Sequence, residues 1–229
     1  MIHIPSMTVT YESNQFVVYP RVELITDCMS KKNGIYEVLC VVNKGSKQVC
    51  SVRFFNEMST QKSYIIYQYV LSILATQTTS AISLNTNIDF LNSHYIEMLL
   101  SEFGSTKIIL ELMETSPLDS IVQIEDRINE IKLHPRVSVW LDDFGTERAN
   151  FDLMNLIDFD AVKMSKELFW DLFENDKTLL KYLVKMIKRK ASIIVIEGVD
   201  SFDKYIFCKE QQCLMQGYFF NEVESCAVC

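Results

Sequence analysis

VSVWLDD at residues 137–143 is a short apolar run, rich in β-branched residues, that ends on two carboxylates, Asp142 and Asp143. Runs of the same kind recur along the chain, at intervals that leave room for helices. They are AISLN (81–85), KIILELM (107–113), DAVKM (160–164), SIIVIEG (192–198) and CLMQGYF (213–219). Helical patterns lie between the runs, over 88–102, 118–132, 151–157, 166–190 and 202–211. This alternation predicts a parallel sheet covered by helices.

The first quarter of the chain is less regular. TVTYES and FVVYPRVELI read as strands, and a hairpin is predicted to turn at residues 43–46, before a helix at about 61–76. The six later runs, with the strand of Glu23, approach the number of strands in a TIM-like barrel. We therefore expect the α/β class, as one (β/α)8 barrel domain over residues 1–229 with an irregular N-terminal β region.

Composition narrows the classes of function. The chain has 229 residues, with 22 basic and 30 acidic side chains and a net charge of −8, which argues against a broad surface for nucleic acid. Seven scattered Cys residues do not form a disulfide framework or a zinc motif, and reduced thiols in a cytosol fit best. No run approaches the roughly 18 apolar residues of a membrane span. We expect a cytoplasmic protein with no membrane or direct nucleic-acid partner.

Polar side chains recur at or near the ends of the apolar strands. In a parallel barrel these ends share one face, where the loops from different strands converge. Several carboxylates at one place repel each other unless a cation lies between them, and Mg²⁺ or Mn²⁺ prefers such oxygen ligands. Two such ions suit attack of water on a phosphodiester. The residues are Glu23, Asn85, Glu111, Glu114, Asp142, Asp143, Lys163, Glu197 and Gln216.

Each of these residues, taken alone, is more often a helix cap or a solvated loop residue than a ligand. Asn85 could cap the following helix, and Lys163 could be a surface lysine. The same placement on at least five strands favours a shared site over these separate readings.

The motifs around these positions resemble those of the EAL family, whose active members hydrolyse cyclic di-GMP to the linear dinucleotide. The resemblance extends from about Thr8 to Val223. In it, Glu23-Leu24-Ile25 stands at the signature Glu-Ala-Leu and Asn85 at the Asn of the second motif. The other matches are Glu111–Ser116 to ELTES, Leu141–Thr146 to DDFGT, Val162–Met164 to LKID, Ile196–Ser201 to AEGVET and Gln216–Phe220 to QGYLF.

The resemblance implies roles for the same residues. Glu23, Asn85, Glu111 and Asp142 are expected to ligate one metal ion, with Asp142 shared and Asp143 serving a second. Lys163 is expected to hold the attacking water, and Glu197 to assist through metal or bound water. Glu114 and Gln216 are expected to support the site.

Some residues depart from the active pattern. The family usually reads Glu-Ala-Leu-Leu-Arg, and its Arg contacts a substrate phosphate, whereas the register from Glu23 gives Asp27 at that position. Glu147 and Arg148 replace the small residues that follow DDFGT, and Glu147 adds negative charge there. This pattern suggests retained metal ligands with a weakened grip on cyclic di-GMP.

Three functions remain open at this point. The first is a non-catalytic regulator that requires no cofactor and binds a protein. Glu23-Leu24-Ile25 resembles the Glu-Leu-Ile signature of small stand-alone EAL-like proteins, some of which repress motility by binding FlhD of the flagellar master activator FlhDC. The resemblance makes FlhD the expected partner. The second is a working cyclic di-GMP phosphodiesterase with Mg²⁺ or Mn²⁺ at the acidic cluster. The third is a receptor that binds cyclic di-GMP without cleaving it.

Overall fold

The computed structural model describes residues 2–27, 34–112, 121–146 and 150–220. The predicted residues Glu114, Glu147 and Arg148 lie outside these ranges. No helix among the described residues is long and apolar enough to cross a bilayer.

Eight strands close into a barrel, as the sequence predicted. The strands are β1 (Met7–Tyr11), β2 (Asn14–Thr26), β3 (Ile35–Lys44), β4 (Lys47–Val49), β5 (Ile82–Thr86), β6 (Ile108–Leu112), β7 (Val137–Phe144), β8 (Ala161–Met164), β9 (Ile193–Ile196) and β10 (Leu214–Gln216). The hydrogen-bonded order is β1-β2-β10-β9-β8-β7-β6-β5-β3-β4, and β2 also pairs with β3 to close the ring. The edge strands β1 and β4 extend the β2–β3 ribbon beyond it.

Strand β2 runs against the rest of the barrel, because it pairs antiparallel with both of its neighbours, β3 and β10. Strands β3 and β5–β10 pair parallel to one another. Since β2 is reversed, its beginning lies at the end of the barrel where the parallel strands finish. Its last residues lie beside the first residues of β3, with Ile25 opposite Ile35.

Helices cover the outside of the barrel. They are α1 (Ser51–Glu57), α2 (Thr60–Gln77), α3 (Ile88–Leu91), α4 (His94–Glu102), α5 (Ile121–Ile131), α6 (Asn150–Leu156), α7 (Lys166–Asn175), α8 (Lys177–Ile187) and α9 (Phe202–Glu210). Two predicted helices are divided. The run 88–102 breaks between α3 and α4, and the run 166–190 breaks at Asp176, whose side chain caps α8 by accepting from the Leu179 amide.

The apolar core lies mainly between the barrel and its helices. Leu84, Leu110, Leu141 and Val162 are almost fully buried in this layer. A smaller apolar cluster, which includes Ile109, Trp140 and Val195, forms separately from it. Because side chains alternate across a strand, the polar residues between the buried apolar ones of the outer layer point into the barrel.

Candidate active site

A cavity of about 610 Å³ opens at the end of the barrel where the parallel strands finish. Its wall includes residues from β2, β3, β5, β7, β8 and β10, from helices α1, α2 and α7, and from the loops that follow β5, β9 and β10. A volume of this size is ordinary for a small-molecule site. The convergence of strand ends that the sequence predicted is therefore present as one pocket.

Lys163 lies at the centre of this cavity's floor. Its ammonium group, Nζ, is 2.8 Å from Glu111 Oε2, 2.9 Å from Glu197 Oε1, 3.0 Å from Asp142 Oδ1 and 3.2 Å from Glu37 Oε2. The Lys163 side chain is only 1% exposed. One buried cation thus contacts four acidic side chains from β3, β6, β7 and the end of β9, and these contacts explain why a lysine is tolerated inside the barrel.

Glu37 on β3 belongs to this group of carboxylates, although the sequence analysis did not identify it. Its Oε1 accepts a hydrogen bond of 2.9 Å from Asn85 Nδ2, and its Oε2 accepts one of 2.7 Å from Gln216 Nε2. The pKa of Glu37 is raised by burial, but Lys163 and the two amide donors outweigh that effect and leave it lowered. Glu37 is therefore held as a carboxylate.

Glu23 lies beside Glu37 but at the edge of the cluster. The two residues are directly paired across β2 and β3. The Glu23 side chain is 38% exposed, forms an ion pair of 3.3 Å with Arg21, and accepts a hydrogen bond of 3.1 Å from Gln216 Nε2. Among the described contacts of Lys163, none is to Glu23. The carboxylate of this ribbon that reaches the centre is that of Glu37.

Glu111 is the most deeply buried acid of the site. Ser83 Oγ donates a hydrogen bond of 2.5 Å to Glu111 Oε1, while Lys163 Nζ donates to Oε2. Burial, together with the neighbouring Glu37 and Asp142 carboxylates, raises the pKa of Glu111 well above its usual value despite the nearby Lys163. Ser83 and Lys163 together fix the orientation of this side chain.

Asp142 and Asp143 differ in position and in backbone geometry. Asp142 is buried and faces Lys163, whereas Asp143 is exposed and has a φ of +53°. The pairing of β7 with β8 shifts between Leu141 and Phe144, which turns the strand at these two acids. Desolvation, followed by the charge of Asp142, raises the pKa of Asp143 to about 6. The irregularity places adjacent carboxylates in the same cavity wall.

Glu197 is positioned by the loop that follows β9. Gly198 has a φ of +72°, and its carbonyl accepts a hydrogen bond of 2.7 Å from Trp170 Nε1 on α7. A Cβ at Gly217, whose φ is +152°, would lie 2.2 Å from the Val199 carbonyl oxygen, so only glycine allows the two loops to pack this closely. Burial raises the pKa of Glu197 to about 7, against the opposing effect of Lys163.

The structure brings together most of the predicted site residues. Those that line the cavity or contact its central lysine are Glu23, Asn85, Glu111, Asp142, Asp143, Lys163, Glu197 and Gln216. The alternative in which Asn85 caps the next helix is wrong, because Asn87 caps it by accepting from the Phe90 amide. Lys163 is buried and is not a surface lysine.

The expectation that Asp27 lies beside a substrate phosphate is wrong. Asp27 follows the last residue of β2, and that strand is antiparallel to its neighbours. Thr26 pairs with Met215, and Ile25 pairs with Ile35 at the beginning of β3. Asp27 therefore lies towards the end of the barrel opposite the cavity, and it does not line the cavity wall.

A signal for Glu37 was present in the sequence. Glu37-Val38-Leu39 has the Glu-x-Leu spacing of the signature Glu-Ala-Leu, and it lies in an apolar run. Strand β3 is parallel to β5, whereas β2 runs in the opposite direction. Glu37 therefore lies on a strand that runs in the same direction as the strands of the other site residues. With Glu37 at the signature position, the fourth residue after it is Val41, which lines the cavity.

The donor set of the cavity fits a hard divalent cation. It consists of carboxylate and amide oxygens. One of these, Gln216 Oε1, is buried without accepting a hydrogen bond, while Asp142 Oδ1 faces the Lys163 ammonium at 3.0 Å. In the described ranges, no three His, Cys, Asp or Glu side chains enclose a single point as metal ligands, and Lys163 Nζ stands where the carboxylates converge. Metal binding therefore requires Lys163 to give up some of these contacts.

A family model described as an EAL domain matches residues 12–222 of the chain. Among curated proteins, the chain is 24% identical over 210 residues to "Cyclic di-GMP phosphodiesterase TpdA" of Vibrio parahaemolyticus. The matched region covers 87% of this chain and 36% of that protein. It is 33% identical over 69 residues to "Cyclic di-GMP phosphodiesterase PdeH" of Escherichia coli, covering 29% and 27%. The chain thus spans little more than a third of these relatives at most.

Solved structures support the fold. A standalone versatile EAL protein from Vibrio cholerae, in its c-di-GMP-bound form, superimposes with a TM-score of 0.71 at 18% identity, over 91% of this chain and 92% of that one. The Bacillus subtilis YkuI protein, in complex with substrate c-di-GMP and calcium, gives 0.71 at 16% identity, over 88% and 54%. These similarities confirm the predicted TIM-like α/β barrel.

Proposed function

The chain belongs to the EAL domain family, and we propose that it is a metal-dependent phosphodiesterase that hydrolyses cyclic di-GMP to the linear dinucleotide. The observation that carries this proposal is the convergence of Glu37, Asn85, Glu111 and Asp142 around buried Lys163 in one open cavity. The curated relatives that bear this activity in their names support the choice of substrate. The proposal departs from a purely regulatory role, which the sequence departures had favoured.

The proposal assigns the metal ligands with one change from the sequence expectation. Glu37, in place of Glu23, joins Asn85, Glu111 and Asp142 at one Mg²⁺ or Mn²⁺ position, and Asp143 serves a second. When bound, such ions neutralise phosphodiester charge and lower the pKa of a water ligand. Gln216 holds the Glu37 carboxylate in place through its 2.7 Å hydrogen bond.

Lys163 and Glu197 supply the remaining chemistry in this proposal. Lys163 places its ammonium group beside the reacting phosphate, where it stabilises developing negative charge. Glu197, whose pKa is raised to about 7, suits a group that takes a proton from the attacking water near neutral pH. Its Oε1 lies 2.9 Å from Lys163 Nζ, so the two groups act at the same point.

The direct test is to incubate the purified chain with cyclic di-GMP and MgCl₂ or MnCl₂ and to separate the products by chromatography. We expect the linear dinucleotide from the wild type and a loss of at least about 100-fold in rate for Glu111→Gln. A Lys132→Gln variant changes a charge outside the cavity and serves as the control, since Lys132 pairs with Asp160. The proposal would be contradicted if neither metal gave the product with protein that circular dichroism shows to be folded.

A second candidate function is the non-catalytic regulator that binds FlhD and requires no cofactor. The observation in its favour is the charge of the cavity. Within the described wall, Arg21 already pairs with Glu23, Lys163 with four carboxylates, and Lys166 lies over the Trp170 ring. An anionic dinucleotide therefore meets few uncommitted cations in this part of the wall, and its affinity without metal is expected to be weak.

Two measurements separate the candidates. Calorimetric titration with cyclic di-GMP in Mn²⁺ tests the nucleotide, and a pull-down with purified FlhD tests the protein partner. Binding of FlhD with no nucleotide binding would favour the regulator, and the reverse result would favour the enzyme. A cytoplasmic location, where both candidates would act, remains part of this proposal.

A further inference from the structure

Basic residues are concentrated in one short segment of this acidic chain. Six of the 22 Lys and Arg residues lie in the 14 residues 177–190, which contain no Asp or Glu. The rest of the chain carries all 30 acidic residues against 16 basic ones. The segment comprises helix α8 and the turn that follows it. The positive charge of the protein is therefore unevenly distributed, with one helix as its main focus.

Helix α8 packs on the barrel through one face and leaves large apolar side chains on another. Leu180, Val184 and Ile187 are buried. On the outward side, Leu179 is 51% exposed, Tyr182 66% and Met186 37%. These three residues follow the i, i+3, i+7 spacing of a single helical stripe. A stripe of this kind, open to solvent along two turns, marks an interaction surface.

Lysines flank the apolar stripe along one side. Lys177, Lys181, Lys185 and Lys188 recur every three or four residues and so form a row on the helix. Lys177 Nζ lies 3.9 Å from the centre of the Phe173 ring, and Lys188 Nζ donates to the carbonyl of Gln212 at 3.2 Å. Among the described residues, no carboxylate forms an ion pair with Lys181 or Lys185. These two lysines are exposed, and their charge is available on the outward side of the helix.

A groove runs between α8 and the end of α9. Its volume is about 370 Å³, and its walls include Lys181, Tyr182 and Lys185 on one side and Glu210, Gln211 and Gln212 on the other, so basic side chains outnumber the single acid. The groove joins the lysine row to the exposed Tyr182 ring. An extended or helical segment lying along α8 would place carboxylates against the lysines and apolar side chains against the stripe.

We propose that the α8 surface, made of Leu179, Lys181, Tyr182, Lys185 and Met186 with the adjoining groove, binds an acidic protein segment that carries apolar anchor residues. Charge complementarity selects this occupant. A broad anionic membrane would also bring the acidic remainder of the chain towards a negative surface, whereas a narrow segment on α8 would not. The proposal is independent of phosphodiesterase activity, because α8 contributes no residue to the barrel cavity.

The test uses the full chain and a fluorescein-labelled synthetic helical peptide in which Glu and Leu follow the spacing of the α8 surface. Fluorescence anisotropy is expected to show saturable binding to the wild type that weakens as NaCl is raised. Lys181→Glu with Lys185→Glu should weaken binding by at least about tenfold, and Tyr182→Ser should also weaken it. A peptide with Lys in place of Glu should not bind.

The matched control is Lys44→Glu with Lys47→Glu, which makes the same charge change at the exposed turn between β3 and β4. This control is expected to retain wild-type peptide affinity. Lack of saturation with the wild type, or an equal loss in the control, would overturn the proposal. Tighter binding to phosphatidylcholine–phosphatidylglycerol vesicles than to the peptide, with the same dependence on Lys181 and Lys185, would replace it with a membrane surface. Circular dichroism of each variant separates loss of binding from loss of fold.

Discussion

Glu37 and Asn85 lie on neighbouring strands at the barrel mouth and are joined by a hydrogen bond of 2.9 Å from the Asn85 amide nitrogen to the Glu37 carboxylate. The bond links β3 to β5, two parallel strands of the ring. It holds the Glu37 carboxylate on the inside, next to Lys163, while Glu23 on the reversed strand β2 remains at the edge. Of these two acids, the one on the parallel strand is therefore the one that contacts Lys163.

The first prediction compares these two acids by an identical change. Glu37→Gln removes a buried carboxylate from the cluster, and we expect it to weaken Mn²⁺ binding by at least about tenfold and to abolish hydrolysis. Glu23→Gln changes a carboxylate that is 38% exposed and should alter Mn²⁺ affinity by less than about threefold. Calorimetric titration of the two metal-free variants with MnCl₂ provides the measurement. A larger loss in Glu23→Gln would return the ligand role to the residue first predicted.

The barrel could be predicted because its local signals agree with the fold. Buried parallel strands such as SIIVI and VSVWL are apolar without alternation, and each is followed by a helical pattern. The polar residues at their ends, from Asn85 to Gln216, then meet because parallel strands finish at one face. Neither inference needs knowledge of which strands are neighbours.

The direction of β2 could not be predicted in the same way. A strand of alternating or mixed burial has the same local pattern whether it runs with or against its neighbours, so Glu23 and Glu37 were equally plausible from sequence alone. The choice depends on long-range pairing, in which β2 joins β10 and β3 across the closure of the barrel. The error at Asp27 followed from starting the register at Glu23, because the residue four positions further along the reversed strand lies near the other end of the barrel.

The contacts of Lys163 also depend on tertiary structure. Its partners come from β3, β6, β7 and the end of β9, which are far apart in the sequence. A second prediction follows from this arrangement. Lys163→Met leaves four acidic side chains without their cation and is expected to destabilise the metal-free protein by about 3–5 kcal/mol. Urea unfolding in the presence of a chelator measures the loss.

The double variant Lys163→Met with Glu111→Gln tests whether charge balance is the cause. Glu111 is fully buried, lies 2.8 Å from the ammonium and has a raised pKa, so Gln at this position removes the cost of keeping that acid protonated once the cation is gone. We expect this double variant to be more stable than Lys163→Met alone. If Lys163→Met keeps wild-type stability, the lysine is not the counter-ion of the metal-free cluster.

A third prediction concerns pH and the metal-free fold. The pKa of Glu197 is raised to about 7 and that of Asp143 to about 6, so both groups bind protons more tightly in the folded chain than in the unfolded chain. Their contribution to stability is present below the unfolded pKa values and is lost as pH rises through the folded ones. The lowered pKa of Glu37 acts in the opposite sense, at more acidic pH. The melting temperature of the metal-free protein should therefore fall between about pH 5 and pH 7.

Two additions make the pH experiment specific. Glu197→Gln removes the group with the higher pKa and should flatten the fall between about pH 6 and pH 7. MnCl₂ favours ionised carboxylates and should stabilise the wild type more at pH 7 than at pH 5. A melting temperature that rises through this range without metal would show that other groups control the stability of the protein.

The last prediction concerns the affinity of the cavity for cyclic di-GMP. The family pattern places an Arg four residues after the signature Glu, and from Glu37 this position is Val41, which lies in the cavity wall. Val41→Arg supplies a cation at the mouth and is expected to tighten cyclic di-GMP binding by about tenfold in Mn²⁺, because a charge about 5 Å from a phosphate adds a few kcal/mol at most. Asp27→Arg makes a larger charge change near the opposite end of the barrel and should leave the affinity unchanged. Calorimetric titration of the two variants with cyclic di-GMP provides the measurement. Tighter binding in Asp27→Arg but not in Val41→Arg would contradict the conclusion that Val41, and not Asp27, lies near the bound nucleotide.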